Sequence, residues 1–249
     1  MTRPAGADAS PREDLRASLA SPETKRRYVR RLFSTIADRY DLITALLSYG
    51  QDRRWKQRLT RLAGVRPGLH ALDLACGTGD IAYALQARGA QTTALDITPR
   101  MLELAAAKQR SGSRPRWVAG DMMALPFSAG HFDLVTTGYG IRNVPVIQGA
   151  IDEIHRVLKP GGMFLSLDFN RPSNASMRAV YLTYLTVVGS SLGFVLHGDP
   201  DTYRYIPESI KRYPGAVAVA ALIRERGFVD CEYLPVLGGL MAIHRAVKE

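Results

Sequence analysis

The spacing of hydrophobic positions changes along the chain, and each change predicts an element. Apolar residues recur at helical spacing from Tyr28 to Leu47, which predicts helices there. From residue 70 onward, short apolar runs alternate with helical patterns, as is typical of repeated βα units. We expect strands at 70–75, 91–96, 115–119, 132–138 and 162–168, and helices at 80–89, 99–109 and 146–158.

The last third of the chain predicts a different connection. Helical patterns at 201–212 and 215–226 are followed by strand patterns at 228–236 and 240–247, joined at Gly238-Gly239. The expected fold is therefore α/β: a doubly wound, mostly parallel seven-stranded sheet that ends in an antiparallel hairpin. Ligands bind such sheets at the carboxyl ends of the strands.

The distribution of these patterns predicts the domain organisation. Residues 1–27 carry Pro, Ala, Ser and charges without periodicity and are expected to be a flexible tail. Residues 28–249 are expected to form a single domain. Within it, helices at 28–66 form an N-terminal cap, and residues 170–212 form an inserted helical cap.

Residues 179–196 are almost free of charge and approach the length that crosses a bilayer. They also contain Thr, Tyr, Ser and Gly, and no second such stretch accompanies them. A helical cap over an apolar pocket is therefore favoured over a membrane-spanning helix.

The charge balance is strongly basic: 33 Lys and Arg against 23 Asp and Glu give a net charge of +10. Such a surface attracts nucleic acid, anionic lipid or anionic ligands. Residues 51–63 form a basic amphipathic helix that either lies on a membrane or has a solvated basic face. Two cysteines and five scattered histidines predict neither a disulfide framework nor a metal site. No signal-peptide pattern is seen at the N-terminus, so a cytoplasmic location is expected.

The segment 72–80 runs from a strand through a glycine turn into a helix. Gly77 and Gly79 allow a ligand to approach the backbone. The third glycine of a dinucleotide-binding turn is missing, which favours a nucleoside cofactor without phosphates. Asp96 ends the next strand, where it either accepts both hydroxyls of a ribose or caps the following helix.

Two further acidic positions suggest a polar cofactor. Asp73 lies in an apolar strand, where a carboxylate needs a partner: a cationic group such as an α-ammonium, or the backbone of the glycine turn. Asp121 follows the third strand and could read an adenine edge. Met122 beside it packs on the ring or fills the core.

The fourth strand ends in a glycine-flanked Arg142-Asn143 pair. Arg142 offers a fixed fork of donors, and Asn143 offers both a donor and an acceptor. Loops at this edge of a sheet carry ligand-facing residues, so a functional role is favoured over a salt bridge between the loop and a helix end.

Several segments resemble a known family. The residues at 73–80, 120–121, 125–127, 132–133 and 156–162, with Asp96, are similar to class I S-adenosylmethionine-dependent methyltransferases. Four segments narrow the resemblance to the ubiquinone/menaquinone biosynthesis C-methyltransferases, from about residue 28 to the end. They lie at 33–41, 54–56, 139–144 and 203–214.

The resemblance implies S-adenosylmethionine as cofactor and identifies its lining residues. In the family, Thr78, Asp96, Asp121, Met122 and Gly138 occupy lining positions. The full expected set is Asp73, Gly77, Thr78, Gly79, Asp96, Ile97, Asp121, Met122 and Gly138. This chain departs from the family pattern in three places. Met122 stands where Ala is usual and tightens the adenine pocket, Gly138 stands where Ser or Ala is common, and Ala246 replaces a glycine with no expected effect.

The implied reaction is C-methylation of a reduced polyprenyl quinol, with demethylmenaquinol favoured. A ubiquinone precursor or another small molecule remains an alternative acceptor, and an RNA-binding protein or RNA methyltransferase is a distant one. Arg142 is the candidate to stabilise a phenolate, and Asn143 to fix the ring oxygen. Tyr40 and Asp41 are candidates to close over the site, and no metal is required.

The resemblance also implies where the protein works. Its substrate carries an isoprenoid tail, which 42–47 and 179–196 could cover. The basic residues at 51–66 could hold the protein on anionic lipid, at the inner face of the membrane. No nucleic acid partner is expected, and the oligomeric state stays open.

Overall fold

The computed structural model describes residues 15–108 and 114–249, in which seven strands form a single sheet. Their order is β3-β2-β1-β4-β5-β7-β6. Only the β5–β7 and β6–β7 pairings are antiparallel. The bounds are β1 His70–Leu74, β2 Gln91–Asp96, β3 Arg116–Ala119, β4 Phe132–Gly138, β5 Leu158–Phe169, β6 Phe228–Val236 and β7 Met241–Lys248.

Ten α-helices of the described residues surround this sheet. They are α1 Leu15–Ser18, α2 Pro22–Ile36, α3 Tyr40–Leu47, α4 Asp52–Leu62, α5 Asp80–Gln86, α6 Pro99–Ala107, α7 Ile147–Val157, α8 Ala175–His197, α9 Tyr205–Arg212 and α10 Ala216–Glu225. The two largest apolar clusters contain alternate residues of the central strands, so helices cover both faces of the sheet.

The central strands are apolar on both faces because both faces are covered. Leu72 and Leu74 of β1 pack into one cluster, and Ala71 into the other. In the parallel register, Asp73 lies between Ala94 of β2 and Thr136 of β4. The carboxyl ends of β1, β2 and β4 therefore meet at one edge, at the point where the strand order reverses.

The predicted fold is confirmed, including the terminal hairpin. From residue 70 onward, the predicted elements differ from those of the structure only at their ends. The strand predicted at 162–168 begins earlier, at Leu158, and the helix predicted at 80–89 stops at Gln86. The helix predicted at 201–212 begins at Tyr205, after a turn. The helix predicted at 99–109 ends at Ala107, and residue 109 lies outside the described residues.

The flexible tail predicted over 1–27 is wrong for residues 15–27, and residues 1–14 lie outside the described part. Helix α2 already begins at Pro22. Ser21 caps it: the Ser21 hydroxyl accepts from the Thr24 amide at 3.2 Å, and Thr24 Oγ1 accepts from the Ser21 amide at 3.2 Å. A highly charged first turn hid this helix, but the Ser-Pro start was a readable signal.

Helix α8 covers part of the domain with one face. Its inner stripe of Tyr181, Leu185, Gly189 and Gly193 is buried. Among the described residues, α8 is also the one helix that is long and apolar enough to cross a membrane, and most of its residues are not buried. Because its inner stripe packs on the domain that continues from both of its ends, α8 lies along the protein.

Candidate active site

The glycine turn after β1 is held in place by Asp96, at the end of β2. The Gly77 amide donates to Asp96 Oδ2 at 2.8 Å, and the Thr98 amide donates to Oδ1 at 2.8 Å. Asp96 is buried, and burial raises the pKa of its carboxyl while the two backbone amides oppose that shift. Asp96 thus stabilises the turn before α6, whose N-cap is Thr98, and does not cap the helix itself. Each carboxylate oxygen keeps a second lone pair, so acceptance from a ribose stays open.

Gly77 and Gly79 of the turn differ in what surrounds the position of a Cβ atom. Both have positive φ, +52° at Gly77 and +84° at Gly79. A Cβ at Gly79 would lie 2.6 Å from Cη2 of Trp117, whereas one at Gly77 would meet Tyr40 at 3.6 Å. Gly79 is therefore required by packing against a side chain, and it lines neither of the two cavities described next.

Two large cavities adjoin the carboxyl edge of the sheet. Cavity A has about 720 Å³ of empty space and lies against the ends of β1, β2 and β4. Cavity B has about 1180 Å³ and lies between the sheet and α2, α3, α8 and α9. Six of the nine predicted cofactor residues line cavity A: Gly77, Asp96, Ile97, Asp121, Met122 and Gly138.

Asp73 lines a small cleft beside cavity A, together with Gly77, Thr78 and Gly138. Its Oδ1 accepts from the Thr136 hydroxyl at 2.8 Å, while its buried Oδ2 has no hydrogen-bond partner among the described residues. Burial raises the pKa of Asp73 to about 7. An unsatisfied carboxylate oxygen in this cleft is suited to a cationic group of a ligand.

Thr78 and Asp41 fasten the N-terminal helices to the glycine turn. The Thr78 hydroxyl donates to Asp41 Oδ1 at 2.5 Å, and Asp41 Oδ2 lies 2.8 Å from Lys108 Nζ. Thr78 lines the cleft with Asp73, but Asp41 lines a separate surface groove. Asp41 lines neither cavity A nor cavity B and connects α3 to the glycine turn, so its role in closing over the site stays a prediction.

Asp121 lies on the wall of cavity A, where its carboxylate is already engaged. The Met123 amide donates to Oδ1 at 2.9 Å, and Arg26 Nε lies 2.8 Å from Oδ2. Met122 packs in the core and also lines the cavity, so its contact with an adenine ring stays a prediction. Arg26 also lines cavity A and was missed, since it falls in the stretch predicted to be a tail.

Arg142 differs most from its prediction. Its side chain is buried, and Nη1 lies 3.0 Å from Asp168 Oδ1. Nε donates to Ser209 Oγ at 2.9 Å, and the guanidinium lies over the Phe169 ring at 4.6 Å from its centroid. Arg142 lines cavity B, but its positive charge is matched by a buried carboxylate at the end of β5. The predicted open fork of donors is thus largely occupied.

Asn143 lines both cavities and has a fixed orientation. Its Nδ2 donates to the Tyr139 carbonyl at 2.8 Å, and its Oδ1 accepts from the Tyr205 hydroxyl at 3.0 Å. Phe33, Tyr40 and Tyr139 also line both cavities. These four residues form the junction of the two spaces.

A buried polar network supports the junction, and sequence patterns did not reveal it. The Tyr139 hydroxyl donates to Asp52 Oδ1 at 2.7 Å, and Lys56 Nζ lies 2.8 Å from Asp52 Oδ2 and 3.1 Å from Asp80. Burial lowers the pKa of Lys56, but Asp52 and Asp80 outweigh it and the net shift is upward. Burial also raises the pKa of Tyr40 to about 12, so its hydroxyl keeps its proton at neutral pH.

The arrangement can align two ligands. Cavity A presents carboxylates and main-chain groups, while cavity B is lined by leucines, isoleucines and aromatic rings. Within residues 15–108 and 114–249, no group of three or more His, Cys, Asp or Glu could hold a metal ion. Methyl transfer between a polar donor and an apolar acceptor at the junction fits this geometry.

Comparison with known proteins decides the family. The family model described as the ubiE/COQ5 methyltransferase family matches residues 21–248. This chain belongs to that family. The match begins at the cap of α2, which agrees with the earlier start of the folded domain. The resemblance inferred from the motifs is confirmed, as is the methyltransferase class.

Named relatives cover almost the whole chain. The Ubiquinone/menaquinone biosynthesis C-methyltransferase UbiE of Zymomonas mobilis is 40% identical over 230 residues, which are 92% of this chain and 95% of the relative. A demethylmenaquinone methyltransferase of Thermus thermophilus is 40% identical over 216 residues, 86% of this chain and 98% of the relative.

Solved structures share the fold at low identity. An S-adenosylmethionine-dependent methyltransferase of Thermotoga maritima aligns with a TM-score of 0.63 at 17% identity, covering 89% of this chain and all of that one. Phosphoethanolamine N-methyltransferase 2 of Haemonchus contortus, with S-adenosyl-L-methionine, aligns at 0.59 and 16% identity, covering 78% of this chain and 52% of that one. The predicted Rossmann-like fold is confirmed.

Proposed function

We propose that this protein methylates a ring carbon of demethylmenaquinol, with S-adenosylmethionine as methyl donor, and so forms menaquinol. Relatives that are 34–40% identical carry names for this activity. The observation that carries the proposal is the junction of Phe33, Tyr40, Tyr139 and Asn143, where a cavity with carboxylates meets an apolar cavity.

The residues of cavity A and its cleft fit S-adenosylmethionine. Asp96 has lone pairs for ribose hydroxyls, and Asp121 with Met122 lies where an adenine edge and face would be contacted. The unpaired Oδ2 of Asp73 suits the α-ammonium group. When bound, the cofactor supplies a methyl group on a positively charged sulfur, which is an electrophile.

Cavity B fits the acceptor. A polyprenyl chain buries apolar surface favourably, and leucines, isoleucines and aromatic rings from five helices line this space. Arg142 and Asn143, in the turn after β4, are polar side chains on the wall of cavity B. We assign Asn143 to orient a ring oxygen and Arg142, which Asp168 holds in position, to stabilise negative charge that develops on that oxygen.

Tyr40 completes the junction. Because its pKa is raised to about 12, Tyr40 stays neutral and acts as an aromatic wall and hydrogen-bond group rather than as a base. With Phe33 and Tyr139 it excludes water from the methyl-transfer path, which protects the electrophile and aligns the reacting carbon.

The protein works in the cytoplasm, as a peripheral protein at the inner face of the membrane. A quinol with a long isoprenoid chain resides in lipid, and the net charge of +10 favours an anionic leaflet. Methylation of a ubiquinone precursor is the second candidate, because UbiE relatives carry names for both quinones. The acceptor assay below separates the two.

The test uses the purified chain with methyl-labelled S-adenosylmethionine and two chemically reduced acceptors, a short-chain demethylmenaquinol and a short-chain ubiquinol precursor. Mass spectrometry should show label on the ring carbon of the demethylmenaquinol. If only the ubiquinol precursor is methylated, that compound is the acceptor instead of demethylmenaquinol. Label in neither compound would overturn the proposal.

A variant links the assay to the junction. Asn143→Ala should lower turnover by about 10²- to 10³-fold, as expected for loss of an oriented group at developing charge. The matched control is Gln57→Ala, an exposed amide on α4, which should leave turnover unchanged. Full activity of Asn143→Ala would remove that residue from the mechanism.

A further inference from the structure

The outer sides of α3 and α8 form an uncharged, exposed surface, here called the apolar face. On α8 the outward residues Val180, Val187, Phe194 and Val195 are 72%, 59%, 66% and 75% exposed. On α3 and just after it, Leu42, Leu46 and Tyr49 are 51%, 44% and 75% exposed. Soluble proteins rarely leave so many large apolar side chains together on one surface.

The two helices form one continuous surface. They pack against each other, and the ring of Tyr49 stacks on Tyr184 at a centroid distance of 6.2 Å. The exposed side of α8 is no more charged than its buried side, because its exposed positions are Val, Phe, Met, Ala, Thr and Ser. A helix that merely covers a pocket would carry charged residues on its outer side.

The apolar face adjoins cavity B. Ile43 and Leu47 line that cavity from α3, and Leu185 lines it from α8, while neighbouring residues of the same helices face solvent. Tyr49 contributes to both. An apolar chain could therefore run from the cavity to this surface without meeting a charged side chain of α3 or α8.

The charges around this face are suited to anionic lipid. Residues 42–51 and 175–198 contain no Asp or Glu, although the exposed Asp199 and Asp201 follow α8. Arg53 and Arg54 are exposed at the start of α4, directly after Tyr49 and Gln51. A second copy of the chain would bring another net charge of +10, so self-association through this face is disfavoured.

We infer that the apolar face rests on an anionic lipid bilayer, with its apolar side chains in the acyl boundary and Arg53 and Arg54 at the headgroups. The basic helix α4, predicted to bind the membrane, thus contacts the headgroups with its first turn only. The apolar contact is made by α3 and α8. The further step, in which the acceptor's tail passes from lipid into cavity B, rests on the proposed function. The binding of the apolar face to lipid does not depend on it.

The experiment measures flotation of the full-length protein with vesicles of phosphatidylcholine and phosphatidylglycerol. The test variant is Val187→Glu with Phe194→Glu, two exposed positions outside both cavities. The matched control is Val217→Glu on α10, which is 68% exposed but belongs to another surface. Thermal unfolding verifies that all three proteins fold alike.

We expect the wild type and Val217→Glu to float with the vesicles, and the double variant to bind at least tenfold less. Arg53→Ala with Arg54→Ala should bind less to anionic vesicles and lose the dependence on phosphatidylglycerol. Equal flotation of the double variant, or none by the wild type, would overturn the inference. A wild-type dimer that the double variant converts to monomer, without vesicle binding, would assign the face to self-association instead.

A second readout separates this inference from the proposed function. Turnover of the short-chain acceptor in solution should be the same in wild type and double variant, because neither residue lines a cavity. With a long-chain acceptor in vesicles, the double variant should be slower by about the loss in binding. Vesicle binding without any methylation would refute the acceptor assignment but would still support lipid binding by the apolar face.

Discussion

Nη1 of Arg142 lies 3.0 Å from Oδ1 of Asp168, and both side chains are almost entirely buried. Arg142→Ala would leave the Asp168 carboxylate buried without its cation, which costs about 3–5 kcal/mol of unfolding free energy. A loss of turnover in that variant would therefore mix catalysis with stability. Denaturant titration should show a clear fall in unfolding free energy for Arg142→Ala.

The double variant Arg142→Met with Asp168→Asn removes both charges together. It should recover most of that stability, since no unpaired charge remains, while turnover stays low if the guanidinium stabilises the acceptor's negative charge. Recovery of both stability and turnover would show that the pair is purely structural.

Asp73 should make cofactor binding dependent on pH. Burial raises its pKa to about 7, so the ligand-free protein holds it protonated at lower pH. A cationic ligand favours the ionised form, so affinity should rise from pH 6 toward pH 8 and then level off. Calorimetry with Asp73→Asn should give an affinity about 10- to 100-fold weaker and little dependent on pH.

The contribution of Asp73 to the stability of the ligand-free protein has the opposite pH dependence. A carboxyl with a raised folded pKa stabilises the ligand-free fold at low pH, and this contribution is lost as pH rises from about 4 through about 7. Asp73→Asn should lack that decline. The control Asp152→Asn, an exposed carboxylate paired with Arg226, should behave as wild type.

The two glycines of the turn should differ in their tolerance of alanine. Gly79→Ala adds a methyl group 2.6 Å from the Trp117 ring as well as the strain of a positive φ, so it should lose about 2–5 kcal/mol of unfolding free energy. Gly77→Ala meets Tyr40 at 3.6 Å and should lose about 1–2 kcal/mol. Equal losses in thermal or denaturant unfolding would contradict the packing argument.

Arg26 should contribute to cofactor affinity through Asp121. Its guanidinium lies 2.8 Å from Asp121 Oδ2 and lines cavity A, but the pair is partly solvated. Arg26→Ala should weaken binding only about two- to fivefold, and added salt should have a similar effect on wild type. The neighbouring Arg27 pairs with Glu23 at the surface, so Arg27→Ala is the control and should not alter affinity.

The sheet could be predicted because its signals are local. Buried strands read as apolar runs, and the turn residues between them mark their ends, so β2, β4 and β6 were predicted with the bounds they have. The same reasoning placed Asp96 at a strand end that faces a cavity. Asp73 was recognisable as a buried carboxylate in need of a partner.

Contacts between distant segments could not be predicted. The partner of Arg142 lies 26 positions away on β5, and the contact of Gly79 with Trp117 joins a turn to an edge strand. Nothing local to Asp41 reveals that Thr78 and Lys108 bind its carboxylate. Such pairings depend on how the elements pack against each other, and the spacing of residues along the chain does not predict them.

The four junction residues, Phe33, Tyr40, Tyr139 and Asn143, touch both cavities at once. A single synthetic molecule could therefore engage both spaces, with a nucleoside at one end and an alkyl chain at the other. Joining the two halves makes the second contact intramolecular, so such a bisubstrate inhibitor gains affinity beyond either half alone. Its selectivity would come from the linker, whose length is set by this junction.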